Sequence, residues 1–261
     1  MILDNIAADT KIRVEKAKKK VPFSEMRMQA HLKNSNTGFP FEKMLAKPGI
    51  HYICEVKKAS PSKGVIAEKF PYLEIAKEYE HAGAGAISCL TEPKYFQGRN
   101  EYLMEISEAV DIPVLRKDFI IDEYMIYEAK VLGADAALLI CALLDDELLK
   151  RYLRICHRLG LSALVEVHDE EEMDRALEAG ARVIGVNNRN LKDFTVDIEN
   201  SLRLRNRAPE EILFVAESGI QTAEDVARLR AAKVNGVLIG ETLMRSEDKK
   251  AALCALNGGG L

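Results

Sequence analysis

Tryptophan is absent from this chain of 261 residues, and so are a CxxC pair, a GxGxxG run and any apolar stretch of membrane length. Each absence removes a class of protein. The five cysteines, Cys54, Cys89, Cys141, Cys156 and Cys254, form an odd set without metal-ligand spacing, and four of them sit in apolar runs. They read as buried thiols in a reducing compartment, not as a disulfide framework or a zinc site. The longest run in the middle of the chain without a charge or a turn residue, AALLICALL, is far too short to cross a bilayer. The opening MILDNIAADTK meets charge too early for a secretory signal. A net charge of −4 gives no general pull toward nucleic acid or anionic lipid. The basic run KAKKK reads as the solvated face of a helix. The expectation is a soluble, cytoplasmic protein with no nucleic-acid or membrane partner.

What the sequence does contain, from residue 50 onward, is an alternation of two textures. Short β-branched or apolar runs at 51–59, 86–92, 113–119, 136–144, 162–168, 182–188, 212–218 and 236–242 read as strands. Amphipathic stretches such as DDELLKRYLRICHRLG and TAEDVARLRAAKV lie between them, and Gly83, Gly133, Gly160 and Gly180 stand where helix C-caps belong. Parallel neighbours need a crossover helix, so serial β–α units predict a parallel sheet covered on both faces. Eight such units close naturally into a (β/α)8 TIM barrel, with a doubly wound open sheet as the fallback. The lack of GxGxxG after the first strand favours the barrel. Residues 1–48 read as an N-terminal helical extension and 49–261 as the catalytic barrel, a single domain overall. The extension shows two amphipathic helices, one through Leu3, Ile6 and Val14 and one over SEMRMQAHL, then a loop NSNTGFPF. It either plugs the barrel or helps to roof its active end.

Barrel chemistry sits at the C-terminal strand ends, and alternate strand residues point inward. Polar residues late in a strand therefore mark the site. By this rule Glu55 and Lys57, Lys117, Glu166 and His168, Asn187 and Arg189, and Glu217 gather at one mouth. For Glu55 and Lys57 alone a buried salt bridge explains as much. A whole set at one end of five strands points instead to an anionic ligand, because unpaired buried charges cost several kcal/mol each. Crowding is expected to raise carboxylate pKa values and to lower those of lysines near other cations. ESGI (217–220) and IGET (239–242) each place a glycine at a strand end before a helix, where backbone N–H groups can approach a phosphate. Phe96, Phe119 and Leu191, with Leu138 as a further candidate, could line a slot for a flat ring. A lysine Schiff-base aldolase and a non-catalytic phosphosugar-binding barrel remain open on these residues alone.

The motifs ExKxxSPSKG (55–64), LTExxYFxG (90–98), LRKDFIxDxY (115–124), GADAALLI (133–140), VEVH (165–168), IGVNNRNL (184–191), ESGI (217–220) and LIGExLM (238–244) resemble indole-3-glycerol-phosphate synthase, in order, over residues 50 to 245. The resemblance implies conversion of 1-(2-carboxyphenylamino)-1-deoxyribulose 5-phosphate into indole-3-glycerol phosphate, carbon dioxide and water in tryptophan biosynthesis. It implies no metal or organic cofactor, and it leaves association with other enzymes of that pathway open. By the matched motifs, Lys117 is the general acid for ring closure. Glu166 is the base or acid partner in dehydration, and Lys57 meets the substrate carboxylate or serves as the second acid. Which lysine serves which step is left open. Glu55 and Glu217 orient and tune the lysines, and Asn187 holds a substrate hydroxyl or carboxylate. Arg189, Ser218, Gly219, Gly240 and the backbone of Glu241 hold phosphate, with the Glu241 carboxylate turned away. Ser60 binds near the substrate carboxylate and opens a loop that closes over the site, in which Lys63 is a candidate contact. Lys58 is turned outward.

Overall fold

Capped helices alternate with strands along the chain, and the caps are where the sequence puts them. Asp122, Asp145, Asp169 and Thr222 each accept a backbone N–H at the start of the helix that follows, and Thr222 with Asp225 forms a capping box. Gly83, Gly133, Gly160 and Gly180 take positive φ just after helices, as expected of C-cap residues. The structure, a computed structural model, describes residues 2–190 and 193–259. Leu191 lies outside the described residues.

Eight parallel strands close into a barrel: β1 (His51–Val56), β2 (Ala86–Leu90), β3 (Val114–Lys117), β4 (Ala136–Ile140), β5 (Ser162–Val167), β6 (Val183–Asn187), β7 (Leu213–Glu217) and β8 (Gly236–Ile239). Closure runs through β1, which pairs with β2 on one side and with β8 on the other. Several strands stop short of the apolar runs that announce them. The run 136–144 ends as a strand at Ile140 and turns into a 3-10 segment, Cys141–Leu143. The run 51–59 ends at Val56, so Lys57 stands just past the ladder. The alternation holds. Ile53, Leu115, Leu164 and Val215 pack inside the barrel, whereas Cys54, Val56, Val165 and Val167 belong to the shell between strands and helices. Four cysteines are buried and Cys254 is half-buried, all as free thiols. Among the described residues no helix is long and apolar enough to cross a membrane.

Three helices precede β1: α1 (Ile2–Lys20), α2 (Phe23–Leu32) and α3 (Pro40–Leu45). The first two match the amphipathic stretches. The third replaces part of the expected loop, with Pro40 at its first turn, where the missing N–H does no harm. The two alternatives for the extension are divided between its parts. α3 is the plug: Phe41, Met44 and Leu45 join the interior cluster of Ile53, Leu115, Leu164 and Val215. Gly236 makes this possible, since a Cβ there would lie 2.7 Å from Leu45 Cδ2. α1 instead reaches the opposite end, where Leu3 and Ile6 face the mouth cavity. α2 packs on the side of the barrel against the helix Glu123–Val131, with Phe23 edge-on to Tyr127 at 5.6 Å.

Leu45 is fully buried at the end away from the charged residues. Leu45→Ala is expected to lower the unfolding free energy by about 2–5 kcal/mol, the usual range for such a truncation, and to leave the Michaelis constant unchanged. Denaturant unfolding beside steady-state kinetics checks both.

Candidate active site

The inward, strand-terminal residues converge on one cavity of about 630 Å³ at the C-terminal end of the barrel. Glu55, Lys57, Ser60, Phe96, Lys117, Phe119, Leu138, Glu166, Asn187, Arg189, Glu217, Ser218, Gly219, Gly240 and Glu241 all line it. Phe194 and Val196, which the sequence reading does not single out, line it on the loop after β6.

Lys117 is the electrostatic hub. Its Nζ donates to Glu166 Oε2 at 3.0 Å from β5 and also to Glu217 Oε2 from β7. Burial alone would strip the lysine of its charge. The two carboxylates, with Glu55 adding to them, more than offset that and hold its pKa well above the usual value. The expectation of a lowered lysine is therefore overturned here: its neighbours are anions, not cations. Glu166 is pushed the other way. Burial opposes its charge, yet Lys117 and His168 keep it far below the ordinary carboxylate range. Glu217 rises, because burial and the charges of Glu166 and Glu55 outweigh the help it receives from Lys117. One carboxylate beside the lysine is thus a fixed anion, and the other is poised to hold a proton.

Among the described residues Glu217 Oε1 has no hydrogen-bond partner. It sits over Gly185 of β6, where an added Cβ would come within 2.2 Å of it. Asn187 Nδ2 donates to Glu166 Oε1 at 3.2 Å, which orients the anion. His168 does not reach the cavity. Its Nδ1 lies 3.0 Å from Glu172 Oε2 and its Nε2 3.4 Å from Glu166 Oε1. Burial disfavours a charged imidazole, but these two carboxylates raise its pKa to about 10, so it backs Glu166 as a cation.

Lys57 pairs with Glu55 across the same inner face, as the sequence spacing implies. Gly240, after β8, leaves the space this pair occupies: a Cβ there would stand 2.4 Å from Glu55 Oε1 and 2.8 Å from Lys57 Nζ. The SPSKG segment is not an open loop. Ala59–Ser60 and Gly64–Val65 form a short antiparallel hairpin. At its tip, Lys63 Nζ lies 3.5 Å from Glu241 Oε1 across the mouth. Glu241 Oε1 also accepts from Arg245 Nε at 3.1 Å. Its carboxylate is thereby engaged by two cations, Lys63 and Arg245. The helix that begins there, Glu241–Met244, is a single turn, so its contribution to an anion site rests on local N–H groups and not on a long helix dipole. Ser218 and Gly219 are both left-handed, at φ 67 and 82. Asn188 holds that turn by donating to Ser218 O at 3.1 Å.

Phe96 and Phe119 face each other with ring centroids 5.8 Å apart. Several residues absent from the sequence reading set them there. Glu92, almost fully buried, accepts the backbone N–H groups of Lys94, Tyr95 and Phe96 at 3.0, 2.7 and 3.0 Å. Asp118 accepts the Phe119 N–H at 2.8 Å, the Thr91 hydroxyl at 2.6 Å and both arms of Arg13 from α1 at 2.9 and 2.7 Å. Burial would raise the Asp118 pKa, but Arg13 and Arg116 bring it down to about 2. Arg116 itself is fully buried between β3 and the outer helices, bonded to Thr91, Asn100, Glu128 and Met125 O.

A closed parallel barrel with its charged cavity at the C-terminal strand ends defines a (β/α)8-barrel enzyme. The same barrel recurs in 3-hexulose-6-phosphate synthase, at TM-score 0.65 and 16% identity over 81% of this chain and 100% of that one. At that identity the likeness concerns the fold alone. The sequence model of indole-3-glycerol phosphate synthase matches residues 3–256. Indole-3-glycerol phosphate synthase of Ruminiclostridium cellulolyticum is 58% identical over 99% of both chains, and that of Lachnoclostridium phytofermentans 52% identical over 96% of both. The chain belongs to the indole-3-glycerol phosphate synthase family.

The raised His168 pKa has a stability consequence with a definite sign. Its contribution is fully present below the unfolded value near 6.5 and is lost as pH rises toward about 10. His168→Gln should therefore be most destabilising, relative to the parent, near pH 6, and the gap should narrow steadily up to pH 10. Urea midpoints measured across that range check it.

Proposed function

We propose that this cavity is the active site in which 1-(2-carboxyphenylamino)-1-deoxyribulose 5-phosphate is closed, decarboxylated and dehydrated to indole-3-glycerol phosphate, making the protein a carboxy-lyase of tryptophan biosynthesis. The observation that carries the residue assignment is Lys117 held between Glu166 and Glu217 beside a two-phenylalanine slot.

Ring closure joins the aromatic carbon that bears the carboxylate to the ketose carbonyl carbon, and the carbonyl oxygen must gain a proton as the bond forms. Lys117 is cationic throughout the neutral range and has a proton to give there. Carbon dioxide then leaves and aromaticity returns. Loss of the new hydroxyl as water requires removal of one proton and delivery of another. Glu166 is ionised and suits the first task, while Glu217, next to the same lysine, can return a proton to Lys117 between turnovers. Lys57, backed by Glu55, meets the substrate carboxylate or supplies the second acid. Asn187 orients Glu166 and is in place to hold a substrate hydroxyl or carboxylate. Arg189, Ser218, Gly219, Gly240 and the Glu241 backbone hold the phosphate, Ser60 lies toward the carboxylate, and Phe96 and Phe119 hold the ring. No nucleic-acid or membrane partner enters this reading.

The cationic state of Lys117 also argues against a Schiff-base aldolase, whose lysine must be neutral to attack a carbonyl.

Purified protein should turn over the anthranilate-derived deoxyribulose phosphate, with equal rates in the presence and absence of a chelator, followed by indole fluorescence. No turnover would overturn the assignment. Lys117→Ala should lower kcat by about 10²–10⁴-fold, the usual contribution of one general acid, while circular dichroism shows the fold retained. A folded variant at full rate would exclude the role of Lys117.

A further inference from the structure

α1 carries an acid and a base one helical turn apart, Asp9 and Arg13, and each reaches a different wall of the aromatic slot. Asp9 Oδ2 accepts from Lys94 Nζ and from the Tyr95 hydroxyl, both at 2.7 Å, on the segment that bears Phe96. Arg13 grips both oxygens of Asp118, which also accepts the Phe119 N–H and the Thr91 hydroxyl. The two phenylalanines come from different β–α loops, and among the described residues their side of the mouth is spanned by this one helix face.

The two grips differ in weight. Lys94 is largely solvent-accessible and Asp9 only half-buried, so their ion pair contributes little. The Asp118 carboxylate is fully buried and Arg13 only a quarter exposed, and a bidentate guanidinium–carboxylate pair is directional as well as strong. Asp118 still keeps Thr91 and the Phe119 N–H without Arg13, with Arg116 Nη2 more distant at 3.4 Å. Arg13 is thus the partner that fixes Asp118 in direction from outside the barrel. Glu92 gives the Phe96 segment its shape, and Asp9 gives it its position relative to α1.

We infer that Asp9 and Arg13 are positioning residues for the aromatic end of the substrate: together they clamp the Phe96 and Phe119 loops at ring-binding separation, without touching the substrate themselves. The clamp rests on the reading of the cavity given above, since it is the substrate's benzoate ring that fills the slot. It sets ring affinity and leaves the phosphate end, built by the loops after β6, β7 and β8, unaffected.

Two ligands separate these ends. The borohydride-reduced substrate keeps both ring and phosphate, and ribulose 5-phosphate keeps the phosphate alone. Arg13→Lys, which retains the charge but loses the fork, should weaken binding of the reduced substrate about tenfold and raise KM more than it lowers kcat. Ribulose 5-phosphate should bind within twofold of the parent. Asp9→Ala, at a half-buried position on the helix surface that endangers the fold less, should move the same ligand in the same direction by a smaller factor. Equal weakening of both ligands would show a general loosening of the mouth and overturn the clamp, as would no change in either. A parent protein that binds and turns over no substrate would instead defeat the functional reading on which the clamp depends.

Discussion

A single buried ammonium between two carboxylates organises this active site. Lys117 needs both partners to stay charged away from water, and each carboxylate needs the lysine; removing one member of such a buried group leaves an uncompensated charge costing about 3–5 kcal/mol. The group cannot be assembled from one strand. It requires β3, β5 and β7 in a closed barrel, so the fold and this buried ion group depend on each other. Gly185 and Gly240 complete the arrangement by absence, because a methyl group at either would occupy the place of a carboxylate oxygen.

The two ends of the barrel divide stability from chemistry. At the end that α3 closes, the interior is filled by Phe41, Met44 and Leu45 against strand side chains. At the other end the interior turns polar within one residue pair: Leu115 gives way to Lys117, Leu164 to Glu166 and Val215 to Glu217. The apolar layer below is a low-dielectric floor, which sharpens the interactions above it; Glu166, with His168 as well as Lys117 beside it, is driven down, while Glu217, buried and facing Glu166 and Glu55, is driven up.

Much of this was legible in the sequence, for identifiable reasons. Period-two alternation located Glu55, Lys57, Lys117, Glu166, Asn187 and Glu217 on one face, because inward and outward positions of a barrel strand are fixed by the pleat. The helices were marked by caps. What could not be read was whatever depends on contacts between distant segments: α3 as plug, the hairpin within SPSKG, the charge state of Lys117, and the clamp through Asp9, Arg13 and Asp118. One signal did exist. Arg116 and Asp118 alternate with Lys117 and so face the apolar shell between strands and helices, where an arginine and an aspartate make sense only if something there satisfies them.

The hairpin over the mouth is fastened at its tip by Lys63 to Glu241, a pair that is partly exposed on both sides, while its base continues directly from the strand that carries Glu55. That one contact is weakly held and screened by salt, so the tip can part from Glu241 with the deep ion pairs left standing. What is fastened loosely at the rim and what is locked inside the barrel are separate parts.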